Sequence, residues 1–275
     1  MPADSGNAVG ARFIVSAFPL VPQLQVSYAS CDAGCAQDND ANRISKLTLQ
    51  LPHRMKHAPI VRRIIELYAP NQQISAPKAR LILAQNRATD SSLGSLRNGC
   101  RYLLQRLLCR TSCAPGTEWQ LSYAASGAPF LSCNGAKSAF NVSMAHSSQW
   151  LAVGLSMGAR IGVDIERLKP RKNYPAMAGI LGWKEKVRDL SDFLSRWTLW
   201  EAGAKCIGSS SLAGPNAEFE RLDHRNADGR VDSLGCWNSL HDRLNQDTYY
   251  AIVLNSQHGA VLTHRHLEPA EIEPW

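Results

Sequence analysis

Between Ile161 and Lys205 the chain carries a strand and a helix whose polar positions can face one another, and any fold it adopts must satisfy both. In the strand, Ile161-Gly162-Val163-Asp164-Ile165-Glu166, the apolar Ile161, Val163 and Ile165 alternate at period two. Asp164 and Glu166 therefore share the opposite face, about 7 Å apart along the strand. A helix is predicted from about Trp183 to Ile207, stopped by Gly208-Ser209-Ser210-Ser211. It presents Trp197, Glu201 and Lys205 on one face, at every fourth position. Converging carboxylates beside an ammonium are what a divalent metal and a phosphate-bearing ligand need. Hard oxygen ligands suit magnesium, which shares its shell with water and substrate phosphates. Taken singly, each piece has a plainer reading. A D-x-E on an exposed strand is solvated surface, and a Glu–Lys pair at i,i+4 is a helix-surface ion pair worth about 0.2–0.5 kcal/mol.

The 275 residues allow one large or two modest domains, and 44% hydrophobic with 19% charged residues is an ordinary globular balance. The net charge of +7 favours anionic partners without choosing among them. No zinc-finger spacing, helix-turn-helix signature or aromatic-interleaved basic strand is visible, which speaks against nucleic acid. No run approaches the roughly 18–20 apolar residues of a membrane span. Phe13 to Val21 is largely apolar but lacks a basic n-region, so a soluble, cytoplasmic protein is expected. The eight cysteines include two C-x3-C pairs, Cys31/Cys35 and Cys109/Cys113, which are read as reduced structural thiols.

In chain order, 27–41 reads as a small-polar loop, Ile44 to Leu51 as a strand and Val61 to Tyr68 as a short helix. Leu93, Leu96, Cys100, Leu103, Leu104 and Leu107 fall at helix spacing, with Arg97, Arg101 and Arg106 on the polar face. Trp119 to Tyr123 and Phe130-Leu131 flank a turn at 126–129. Phe140 to Ser147 follows, with His146 placed between two strands, and then the buried-looking strand Trp150 to Ser156. Pro170 and Pro175 flank a linker, and closing strands are expected at Tyr249 to Leu254 and Ala260 to His264. The pattern divides into two halves, 1–155 and 156–275, each mixing one long helix with several strands.

Phe140-Asn141-Val142-Ser143-Met144-Ala145-His146-Ser147, then Ile161 to Glu166, then Trp197 to Lys205 resembles the Sfp-type 4'-phosphopantetheinyl transferases. That family shows an F-N-x-S-H-S-like segment, a G-x-D-x-E and a W-x-x-K-E-A-x-x-K in this order. Gly127-Ala128-Pro129-Phe130-Leu131 looks like its G-K-P-x-L, and Leu212, Pro215 and Phe219 look like its G-L-x-x-P-L-x-x-F. The similarity covers roughly Leu93 to Phe219, and the first ninety residues match little. The resemblance implies an α/β (α+β) fold of two similar subdomains related by a pseudo-twofold, with coenzyme A in the cleft between them. It implies a monomeric enzyme that moves phosphopantetheine from coenzyme A to a serine of an apo acyl or peptidyl carrier protein. Adenosine 3',5'-bisphosphate would be released, and fatty-acid, polyketide or nonribosomal peptide synthesis served.

By the same resemblance Asp164, Glu166 and Glu201 hold magnesium, and Glu201, directly or through a bound water, takes the serine proton. Lys205 stabilises the pyrophosphate, and His146 contacts a coenzyme A phosphate with Ser147 as the neighbouring hydroxyl. Glu185 matches a further family acid, and Arg97, Arg101, Lys78 and Arg80 are candidates for the adenosine 3'-phosphate. Three departures stand out. Trp200 replaces the family lysine, which removes a cation next to the metal site unless Lys184, Lys186 or Lys205 offsets it. Met144 and Ala145 separate Ser143 from His146, and the stretch between Glu166 and Trp197, which bears on carrier recognition, is short. A protein that binds coenzyme A or carrier after its catalysis decayed is the alternative, with Trp200 as its support.

Overall fold

The computed structural model describes residues 47–48, 59–68, 78–86, 92–111, 118–170, 173–183, 186–209, 219, 231–255 and 263–267. The loop read at 27–41, most of the strand read at Ile44 to Leu51, Cys113, Lys184, Glu185, Leu212, Pro215 and the turn at 257–259 lie outside the described residues. In chain order the elements are β1 (Leu47–Thr48), β2 (Ile60–Tyr68), β3 (Ala79–Gln85), α1 (Leu93–Thr111), β4 (Trp119–Tyr123), β5 (Pro129–Cys133), β6 (Ala136–Lys137), β7 (Phe140–Ser147) and β8 (Trp150–Met157). They continue with β9 (Arg160–Arg167), α2 (Tyr174–Ile180), α3 (Leu190–Ile207), β10 (Val231–Leu234), β11 (Trp237–Asn245), β12 (Thr248–Asn255) and β13 (Thr263–Leu267). The fold is mixed α/β. Its described ladders are antiparallel, in sheets ordered β13-β2-β3-β8-β7, β10-β11-β12-β9 and β1-β4-β5-β6.

Period-two alternation gives the two larger sheets two apolar faces each. Ile82, Ala84, Leu151, Val153 and Leu155 turn toward Leu96, Leu103, Leu104 and Leu107 of α1, and Leu121 and Leu131 of the β4–β5 hairpin join them. Ile65, Leu81, Leu83 and Ala152 turn the other way and meet Ile161, Val163, Ile165, Ile252 and Leu254 of the second sheet. On that sheet's outer face Tyr249, Ala251 and Val253 receive Phe193, Leu194, Trp200 and Ala202 of α3. The layers run helix, sheet, sheet, helix. Fully burying each large aliphatic side chain contributes about 1.5–3 kcal/mol, so these three clusters dominate stability.

β9 is the strand shared between layers. Its odd residues enter the core between the sheets, and its even residues face α3. The approach to α3 is closest at Gly162, where an added Cβ would lie 1.8 Å from the Ala202 carbonyl oxygen and 2.6 Å from the Cys206 nitrogen. Only glycine lets the helix backbone settle there. Gly203 plays a similar part toward Phe219, whose ring would stand 2.6 Å from a Cβ on it.

Several expectations are corrected. Val61 to Tyr68 is strand β2, not a helix. The register shift between Val61 and Arg63 breaks the alternation that would have marked it. His146 lies within strand β7, not between strands. The long helix begins at Leu190, capped by Asp189, whose side chain accepts from the Asp192 N–H. Part of the expected linker is α2, with Pro175 in its first turn where its missing N–H is harmless. β10 and β11 were not anticipated, since Trp237 to Asn245 is too polar to show a strand's alternation.

Gly162→Ala should destabilise the protein by about 3 kcal/mol or more, because the clash is with backbone rather than a flexible side chain. Thermal unfolding should show a fall in Tm of roughly 6–12 °C. An unchanged Tm would mean that α3 does not rest on β9 in this way.

Candidate metal and phosphate site

Because Gly162 lets α3 rest on β9, the next residue of the strand on the α3 side, Asp164, comes under the helix at Lys205, one turn from Glu201. Asp164 is only 3% exposed. The Lys205 ammonium donates to Asp164 Oδ1 at 2.6 Å and lies 3.6 Å from Glu201 Oε2. Asp164 Oδ2 is buried with no hydrogen-bond partner. One carboxylate oxygen each of Asp164, Glu166 and Glu201 lies within 4.8 Å of the others. Three acids close together would repel one another. Lys205 offsets part of that repulsion, and the unsatisfied oxygen of Asp164 is the kind of atom a hard cation would satisfy.

Burial is the first cause of the shifts here. It raises the Asp164 pKa well above its ordinary range, opposed by Lys205 and reinforced by Glu201 and Glu166. Burial opposes the charge on Lys205, yet the attraction of Asp164 and Glu201 prevails and its pKa rises. Lys205 also sits in the last turn of α3, where the helix dipole favours a cation. His146 goes the other way: burial, then the nearby charges of Lys205 and Arg97, lower its pKa, so its imidazole is neutral at neutral pH.

The segment Phe140 to Ser147 reaches the site through its serines. Ser143 Oγ accepts from the Val163 N–H at 3.0 Å and Ser147 Oγ from the Arg167 N–H at 3.1 Å. Ser147 Oγ also donates to Glu166 Oε2 at 2.9 Å. This link between β7 and β9 was not read from the sequence. Its signal is the small face Ser143, Ala145, Ser147 at period two. Nor was Asp247, which anchors the end of β9: it accepts from Arg167 Nε at 2.8 Å, and its carbonyl takes the Leu168 N–H at 2.6 Å.

The basic candidates separate. Arg97, exposed on α1, acts on His146 electrostatically. Arg101 donates through Nη1 to Asn98 at 3.1 Å, and its Nε is buried without a hydrogen-bond partner. Arg80 pairs with Glu66 at 2.7 Å and sits opposite Leu155, whereas His146 sits opposite Leu151. Those positions are about 13 Å apart along β8. Lys78 lies just before β3, two residues from Arg80. Trp200 is a core residue, 4% exposed and edge-on to Trp183 with ring centroids 5.3 Å apart. Cys100 and Cys206 are buried free thiols whose pKa values burial pushes up to about 12. Among the described residues no helix is long and apolar enough to cross a membrane.

No protein-family model matches the chain. The chain is similar to a protein of Synechocystis sp. named "Putative 4'-phosphopantetheinyl transferase slr0495", being 31% identical to it over 132 residues. The match covers 44% of this chain and 51% of that protein, so the chain spans about half the length of the curated relative it matches. The similarity gives weak support to a phosphopantetheinyl transferase family assignment.

Asp164 sets a pH dependence. Its folded-state pKa is raised, so the stability associated with its proton is complete below the ordinary value of 3.8 and is lost as pH rises through the raised value. A divalent cation held by Asp164, Glu166 and Glu201 would replace that proton, so magnesium should then stabilise more as pH rises through the same window. At roughly hundredfold excess over Kd the gain is about 2.7 kcal/mol. Melting curves with and without magnesium across pH should show this, and Asp164→Asn should abolish the difference. Magnesium-independent melting of the unmodified protein at every pH would remove the metal reading.

Proposed function

We propose that this protein transfers the 4'-phosphopantetheine group of coenzyme A to a serine of an apo acyl or peptidyl carrier protein. The observation that carries the reading is the convergence of Asp164, Glu166 and Glu201 within 4.8 Å, with one buried Asp164 oxygen unpartnered and Lys205 on the other. The resemblance of the three motifs and the similarity to the Synechocystis protein supply the reaction class. The donor set, all carboxylate oxygens, fits magnesium, held by Asp164, Glu166 and Glu201. Bound there, magnesium would offset charge on the coenzyme A pyrophosphate.

The protein's own groups do the rest. The carrier serine oxygen forms a bond to the phosphorus bearing pantetheine, and the bridging bond to the second phosphorus breaks. Adenosine 3',5'-bisphosphate leaves with the bonding pair, and Glu201 takes the serine proton. Lys205, whose raised pKa keeps it an ammonium, stabilises the pyrophosphate and the leaving phosphate. His146, kept neutral, donates one N–H to a phosphate oxygen. Arg101, whose buried Nε–H has no hydrogen-bond partner, would donate it to coenzyme A. The halves 1–155 and 156–275 would form a pseudo-twofold pair with coenzyme A between them, β13 returning from the second to pair with β2 of the first. The protein acts as a cytoplasmic monomer. The burial of Trp200 supports retained catalysis, because its ring is spent on the core rather than on displacing a site group.

Intact-mass spectrometry of an apo carrier protein incubated with this protein, coenzyme A and magnesium should show a gain of about 340 Da, the transferred group. Asp164→Ala and Glu201→Ala should each reduce the rate by at least about 100-fold, judged against the scale of losing one charge-stabilising group. No gain with fatty-acid, polyketide and peptide carriers, while coenzyme A still binds, would leave a binding protein whose catalysis is lost.

A further inference from the structure

We infer that Ser147 is a positioning residue: it fixes the Glu166 carboxylate for metal binding, and its hydroxyl proton is committed to that acid. The argument rests on the proposed metal site and starts from the hydroxyl's capacity. A serine hydroxyl has one proton to donate and lone pairs to accept with. Ser147 Oγ accepts from the Arg167 N–H at 3.1 Å. In its contact with Glu166 Oε2, at 2.9 Å, the hydroxyl is the donor, so its single proton goes to that carboxylate oxygen. The proton that the sequence resemblance would assign to coenzyme A is thus already engaged.

Two further features make the placement deliberate. Ser143, four residues earlier on β7, accepts from the N–H of Val163, four residues before Arg167 on β9. Side-chain hydroxyls therefore stand in for the carbonyls that would normally join the two strands. The pair of bonds sets the register of β9 against β7. Arg167 is held from the other side by Asp247, at 2.8 Å from its Nε. The backbone amide that holds Ser147 is itself anchored, so the hydroxyl has a fixed direction. The bond restricts the rotamers of the long Glu166 side chain in advance of any metal, which lowers the ordering cost of binding.

Hydrogen bonds to metal-ligating carboxylates typically govern metal affinity by 10–100-fold when removed. The test uses manganese alone as the probe, followed by electron paramagnetic resonance without coenzyme A or carrier, and then steady-state transfer kinetics. Ser147→Ala should weaken manganese binding about 10-fold or more with the KM for coenzyme A unchanged, and Ser147→Thr should restore it. Ser143→Ala removes the other inter-strand bond but not the Glu166 contact. It should lower Tm while leaving manganese affinity within about 2-fold, which separates positioning from mere structural support. If Ser147→Ala does not fold, Ser147→Cys, of similar size but a weak donor, should show the same weakening. Manganese affinity unchanged in Ser147→Ala or Ser147→Cys, with a raised KM for coenzyme A, would overturn the inference in favour of a substrate contact. Absence of manganese binding by the unmodified protein would overturn the metal site and this inference together, and is thereby distinguished from the first result.

Discussion

The contact of α3 with β9 at Gly162 is the constraint on which the rest depends. A strand and a helix normally stay apart by the thickness of their side chains. Here the Ala202 carbonyl occupies the space a Cβ would fill, so the helix backbone rests on the strand itself. That closeness brings Lys205 Nζ within 2.6 Å of an aspartate on the strand. A helix one side-chain layer farther out would leave Asp164 buried with neither oxygen satisfied. The acids are therefore assembled by packing, and the packing is permitted by one missing side chain.

The site has the character of stored electrostatic tension. Asp164 is taken out of water, which favours its proton, while Lys205 draws it toward ionisation. Glu201 and Glu166 repel it. The arrangement is tolerable because Lys205 bridges two of the acids and Ser147 accommodates the third. Breaking such a buried set by removing one partner is generally more damaging than never having built it. The same balance would suit a divalent cation, which would supply the charge that one ammonium cannot.

The seam between β7 and β9 gives the sheets a relation that ordinary ladders do not. Each is an edge strand of its own sheet, with N–H groups that need partners. Ser143 and Ser147 answer two of those on β9 and carry the register of one sheet to the other. The segment Phe140 to Ser147 thus contributes to the site mainly through its small face, with His146 on the alternate face, subject to Lys205 and Arg97.

Much of the site was legible in the chain. Period-two apolar spacing marked β9, a continuous apolar run marked β8 and the leucine spacing marked α1, because in each the apolar pattern matches the buried surface without interruption. The acids and lysine could be grouped by their positions on one strand face and one helix face. β2 was misread because its register shift conceals the period, and β11 was missed because its outer end is polar. Sequence alone determined which residues share a face: Asp164 with Glu166, Glu201 with Lys205, Ser143 with Ser147. Only the tertiary structure decided which faces meet. It put Lys205 on Asp164, sent Trp200 into the core beside Trp183, turned the Ser147 proton to Glu166 and held Arg80 away on Glu66. The reason is physical: periodicity is a local property of the backbone, whereas contact between faces depends on burial and close approach summed over distant segments.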